Sequence, residues 1–92
     1  MTKINGSIRH TFTGTGRSPK VWVKDASMSL VITATDAFAI SAEISYDEGN
    51  TWTEIEEFIA DTVKNFEWSG KAALISFNCT SHTSNDVELY FG

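Results

Sequence analysis

The chain has one cysteine, one proline and two histidines in 92 residues. A lone Cys79 excludes any disulfide within the chain, so stability must rest on the core, and folding in a reducing cytosol is expected. His10 and His82 are far apart in sequence, with no second Cys or His at ligand spacing, which argues against a zinc site. No apolar run approaches the roughly 20 residues that cross a bilayer, so no membrane partner is expected. The opening MTKINGSIRH has no apolar h-region, so no secretory signal is expected. Positive charge is scarce as well: seven Lys and Arg stand against twelve Asp and Glu, a net charge of −5. Those cations read as scattered, with no basic stripe, so a grip on nucleic-acid phosphates is not expected. No Gly-x-Ser-x-Gly elbow occurs. The glycines of Thr13 to Arg17 lack the Lys and the strand–loop–helix setting of a phosphate loop. These gaps together predict a chain that is not an enzyme and uses no cofactor.

What is present is an ordinary globular balance, 41% hydrophobic and 21% charged, enough for one small domain over residues 1–92. Residues 1–7 are polar and read as a free N-terminal arm. A core this small is marginal alone, which favours a homo-oligomer or a larger assembly. Apolar residues alternate with polar ones in Ile40, Ala42, Ile44, Tyr46, with Ser41, Glu43, Ser45 and Asp47 on the other face. The same period recurs in Met28–Ala34, Ala73–Cys79 and Val87–Phe91, and in shorter form at Val21 and Val23 and at Ile8, His10 and Phe12. Only Thr53 to Lys64 shows helical spacing, through Ile55, Phe58, Ile59 and Val63. Turn-forming clusters separate the runs about every ten residues. The expected fold is an all-β antiparallel sandwich of 7–8 short strands, immunoglobulin-like or jelly-roll. Half-polar alternation implies one wet face on each sheet.

The most distinctive stretch is SYDEGNTW, Ser45 to Trp52. An aspartate leaving a strand can accept hydrogen bonds from the amides of the turn it begins. Gly49 can take a positive φ, Thr51 starts the return strand, and Trp52 can fold its ring under the turn. The pattern formed by Ser45, Asp47, Gly49, Thr51 and Trp52 resembles the Asp-box of sialidase blades and many other β-proteins. There it is a structural hairpin remote from the chemistry, so the likeness implies a turn and no glycosidase activity.

A second resemblance runs from about Met28 to Gly92. An alternating strand, a strand ending in an Asp-box turn (ISYDEGNTWTEI), an intervening hairpin and the closing FNCTSHTSNDVELYFG are similar to small virion proteins of tailed bacteriophages. The likeness implies a β-sandwich structural protein: a capsid decoration (cement) protein, or a tail, head–tail joining or fibre module. It implies a virion location after synthesis in the bacterial cytoplasm, with the major capsid protein or other virion proteins as partners. Glu48 departs from the pattern, because a second Gly is common at that point of such turns.

Other clusters read blandly. Glu54, Glu56 and Glu57 could form a metal or acid/base group, but a solvated strand with a bulge at Glu56–Glu57 explains them better. Asp47 and Asp86 lack EF-hand spacing for calcium. Asn78-Cys79-Thr80 fits a glycosylation pattern but reads as strand. Cys79 reads as a buried hydrophobe. The tryptophans exceed what the core needs. Trp22 shares a phase with Lys20 and Lys24, opposite Val21 and Val23, and Trp68 adjoins a Ser-Gly turn. With Lys3, Ile4 and Arg9 of the N-terminal segment, Trp22 and Trp68 are the expected interface residues. Trp stacking on a sugar ring keeps a carbohydrate-binding domain as the rival reading.

Overall fold

The computed structural model describes residues 6–68 and 71–92. The chain is all-β: β1 (Ile8–Phe12), β2 (Gly16–Arg17), β3 (Val21–Val23), β4 (Ala26–Thr33), β5 (Phe38–Ser45), β6 (Thr53–Phe58), β7 (Thr62–Trp68), β8 (Ala73–His82) and β9 (Val87–Phe91). They form two antiparallel sheets, β1-β9-β4-β7 and β2-β8-β5-β6, with β3 on the same edge of β8 as β2. The pairings nest: β1 with β9, β2 and β3 with β8, β4 with β7, β5 with β6. One long hairpin is thus folded back over itself, and β4–β9 and β5–β8 pairing closes the roll. That connectivity is a jelly roll. An immunoglobulin-like sandwich keeps its last two strands in one sheet, whereas β8 and β9 lie in different sheets here.

Nine strands appear in place of seven or eight because Pro19 interrupts an edge. Proline has no N–H to give a ladder and belongs at such edges. The Ser18 amide donates to the Phe77 carbonyl at 2.8 Å, and the Ser18 hydroxyl accepts from the Phe77 amide at 3.0 Å. A serine side chain thereby completes the ladder at the break, and Ser18 is buried.

The alternating residues supply the core. Ile8, Phe12, Leu30, Ile32, Ile40, Ile75, Phe77, Val87, Leu89 and Phe91 form one buried cluster drawn from both sheets. Each such side chain contributes about 1.5–3 kcal/mol through burial. Phe77 and Phe91 meet edge to face at 5.2 Å across the sheets, a favoured aromatic geometry. Tyr46, read as part of the alternation, lies past the end of β5 and is exposed.

The helically spaced Thr53–Lys64 segment is two strands in different sheets, β6 and β7, joined by a corner at residues 59–61. The intervening hairpin expected from the virion likeness is therefore a crossover. Periodicity misleads here because of a bulge: Ala42 faces Glu56 and Glu43 faces Glu54, leaving Ile55 without a partner. The bulge falls one residue before the expected Glu56–Glu57, and it turns Ile55 toward Phe66, Trp68 and Phe77 at the edge of the core.

The outer face of the five-stranded sheet is drier than alternation implies. Ser41, Ser45 and Ser76 are all buried. Longer side chains lie over these small residues: the Ser41 hydroxyl donates to Glu54 Oε1 at 2.6 Å, and Arg17 reaches across β8 to Glu43 on β5.

Candidate interaction surface

Register places Trp22 opposite Leu74, and Leu74 opposite Ser45. The chain then turns back through residues 46–52 and brings Trp52 beside Ser45. This row crosses one end of the outer face of the five-stranded sheet. Leu74 is buried at 5% although it lies outside the central core. A side chain added at Gly49 would meet both the Trp52 ring and Leu74 within 4.0 Å, so the turn folds directly onto them.

The SYDEGNTW turn is tied together by its own residues. The Ser45 hydroxyl donates to Asp47 Oδ1 at 2.6 Å and accepts from the Gly49 amide at 2.9 Å. Asp47 Oδ1 also accepts from the Thr51 amide at 2.8 Å, and Asn50 Nδ2 donates to the Asp47 carbonyl at 2.8 Å. These bonds favour the carboxylate. The Ser45 hydroxyl, followed by Thr51, holds Asp47 down at about 2. Gly49 has φ 91° and Glu48 has φ 61°. Glu48 thus occupies the left-handed conformation that a glycine takes at lower cost. Ser45, Asp47, Gly49, Thr51 and Trp52 come together as expected, except that Thr51 is still in the turn and the strand starts at Thr53.

Arg17 extends this patch. Its guanidinium lies 4.5 Å from the centre of the Trp52 ring, and Nη2 lies 2.6 Å from Glu43 Oε1. The cation thus bridges the indole face and a half-buried carboxylate, whose Oε1 makes no hydrogen bond among the described residues. Beside it, Trp22 is 40% exposed. Sequence reasoning missed Arg17, Glu43 and Leu74. The only available signal was Leu74 standing in the polar phase between Ala73 and Ile75.

The other expected contact residues do not join this patch. Arg9 lies on the outer face of the opposite sheet, its guanidinium 5.0 Å over the Tyr90 ring. Trp68 is half-buried and packs against the core instead of standing out at its turn, because it shares the inward phase of β7 with Phe66. Lys3 and Ile4 lie outside the described residues, as does most of the expected arm. The three glutamates diverge: Glu54 binds Ser41 on the outer face, Glu56 pairs with Lys64 at the sandwich edge, and Glu57 is exposed. Among the described residues, no group of three or more His, Cys, Asp or Glu is placed to hold a metal ion. Asp47 and Asp86 stand at opposite ends of the sandwich. Cys79 is buried, its Sγ donates to the Ser81 carbonyl at 3.3 Å, and burial pushes the thiol up.

The chain matches no family model, no curated protein and no solved structure.

Proposed function

We propose that this chain is a structural component of a tailed-phage particle, acting as a decoration protein that bridges neighbouring capsid subunits. One observation carries the reading: Trp22 is exposed in a row with a platform built from Trp52, Arg17, Glu43 and the Asp47 turn. A tryptophan held on a rigid sheet loses little entropy on docking and is the residue type that anchors interfaces. Jelly rolls recur in viral capsid and lectin domains, and the virion likeness of residues 28–92 points to the first. Binding only the assembled shell would stabilise it by mass action. The excess of acidic groups suits docking on basic capsid patches.

Quantitative mass spectrometry of purified particles tests this reading. Hundreds of copies in near-integer ratio to the major capsid protein are expected; a handful would move the chain to the tail or head–tail joint. Trp22→Ala should lower that copy number while shifting the Tm by no more than about 4 °C, as expected of an exposed site. An unfolded variant would remove Trp22 from the interface. Because jelly rolls also serve lectins, fluorescence titration with a glycan panel is the companion measurement: saturable tryptophan quenching would favour a carbohydrate-binding domain.

A further inference from the structure

The cations that look scattered along the chain are gathered by the fold. Residues 6–24 build β1, β2 and β3, and they hold Arg9, Arg17, Lys20 and Lys24 with no Asp or Glu. These strands are the edges of both sheets on one side of the sandwich. The opposite edges are β6 and β7. Residues 53–68, which build them, hold Glu54, Glu56, Glu57, Asp61 and Glu67 against Lys64 alone. One side is therefore basic and the other acidic. Each also exposes apolar surface: Trp22 on the basic side, Ile59 (69%) and Val63 (81%) on the acidic side.

We propose that the basic side of one copy docks against the acidic side of the next, giving a head-to-tail assembly of this chain. Strand direction supports that arrangement. Three antiparallel pairings separate β3 from β6, and three separate β1 from β7. A neighbour placed by translation would thus set its β3 antiparallel to β6 and its β1 antiparallel to β7. Like sides repel, so a two-fold pairing of identical sides is disfavoured. A heterologous contact of this kind closes into a ring or runs on as a filament. Pro19 and the charges on β6 keep backbone pairing between the edges short, so side-chain charges must supply the rest of the contact. Arg17 and Glu56 already hold partners within the chain, whereas Lys20 and Glu57 form no ion pair among the described residues. Lys20, whose Nζ lies 3.4 Å from where a Gly49 Cβ would stand, and Glu57 are two of the exposed charges available between copies, and Glu67 is a third.

The inference stands apart from the particle reading. A chain that assembles head to tail yet is missing from particles would keep the one and lose the other. The test is sedimentation of the full chain over a wide concentration range at low and high salt. Wild type should grow beyond a dimer and dissociate as salt rises. Lys20→Glu and Glu57→Lys should each weaken assembly at least about tenfold with the Tm unchanged. The double variant Lys20→Glu/Glu57→Lys should regain it, as should a mixture of the two single variants. A wild type that stays monomeric at millimolar concentration overturns the proposal. So does a dimer indifferent to either substitution, or a double variant no better than the singles.

Discussion

An aspartate lies two residues beyond each end of β5, Asp36 before it and Asp47 after it, and the two are held in opposite ways. At its far end, Asp47 is satisfied by Ser45 and Thr51, with Gly49 bound in turn to Ser45, all within seven residues of chain. At its near end, Asp36 Oδ2 accepts from the Ser84 hydroxyl at 2.7 Å and from Asn85 Nδ2 at 2.8 Å. Those partners come from the β8–β9 connection, 48 and 49 residues away. The Thr83 hydroxyl, donating to the Ala37 carbonyl at 2.8 Å, belongs to the same junction. Closing a short loop costs little entropy, whereas the Asp36 junction forms only after much of the chain is in place. The first aspartate shapes a turn; the second fastens two turns to each other.

Removing Trp52 separates the turn's internal bonds from its attachment to the body. Trp52→Ala should cost about 3 kcal/mol and lower the Tm by roughly 12–24 °C. Hydrogen exchange should still find the Gly49 and Thr51 amides protected relative to other loop amides. Loss of that protection would mean the turn depends on its tryptophan and is not self-contained.

The aspartates themselves give the next largest effect. Asp47→Ala should mainly slow folding, because the turn it organises is local and forms early. Asp36→Ala should mainly speed unfolding. The strand between them alone spans about 23 Å at the rise of a strand, so their effects on stability should add. Stopped-flow chevrons of both single variants and the double variant check this. Equal partition of both mutations between the two limbs would erase the contrast.

Acid offers a subtler probe. The Asp47 carboxyl is held below its ordinary value of 3.8, at about 2. Its contribution is therefore complete above the ordinary value and is lost as pH falls through the folded one. Across that window wild type should lose Tm faster than Asp47→Asn, and the two curves should converge at the acidic end. Parallel curves would show that the Ser45 and Thr51 bonds do not favour the charged form.

Glu48→Gly should have the smallest effect. It relieves a left-handed residue at φ 61° but loosens the unfolded chain, for a net gain of about 0.5 kcal/mol. Urea unfolding would detect it, and a clear loss of stability would mean the Glu48 side chain makes a contact that matters.

The same divide between near and far governs what the sequence could disclose. The core face of β5, β8 and β9 was legible because alternation is a local code, and SYDEGNTW was legible because its partners lie within itself. The jelly-roll order was not, since it depends on Ile8 meeting Phe91 and Phe38 meeting His82. The Ile55 bulge gave Thr53–Lys64 its helical spacing by breaking the period at one residue, although the glutamates still read as a bulged strand. The platform was half legible: Trp22 was placed outward from its phase, but Arg17 reaching Glu43 and Trp52 joins residues from three strand neighbourhoods. Trp68 was misplaced because a neighbouring Ser-Gly turn says nothing about which way the strand before it faces.

The nested pairing has a mechanical side. Ile8 lies opposite Phe91, and β1 and β9 run antiparallel from that point. Tension applied to these two strands at that end would load their hydrogen bonds one after another, as a zipper opens, and not all together in shear. The sandwich should peel at low force when pulled there and resist far more when squeezed between its faces. A chain gripped by these two strands would make a weak tether, whatever load its faces can carry.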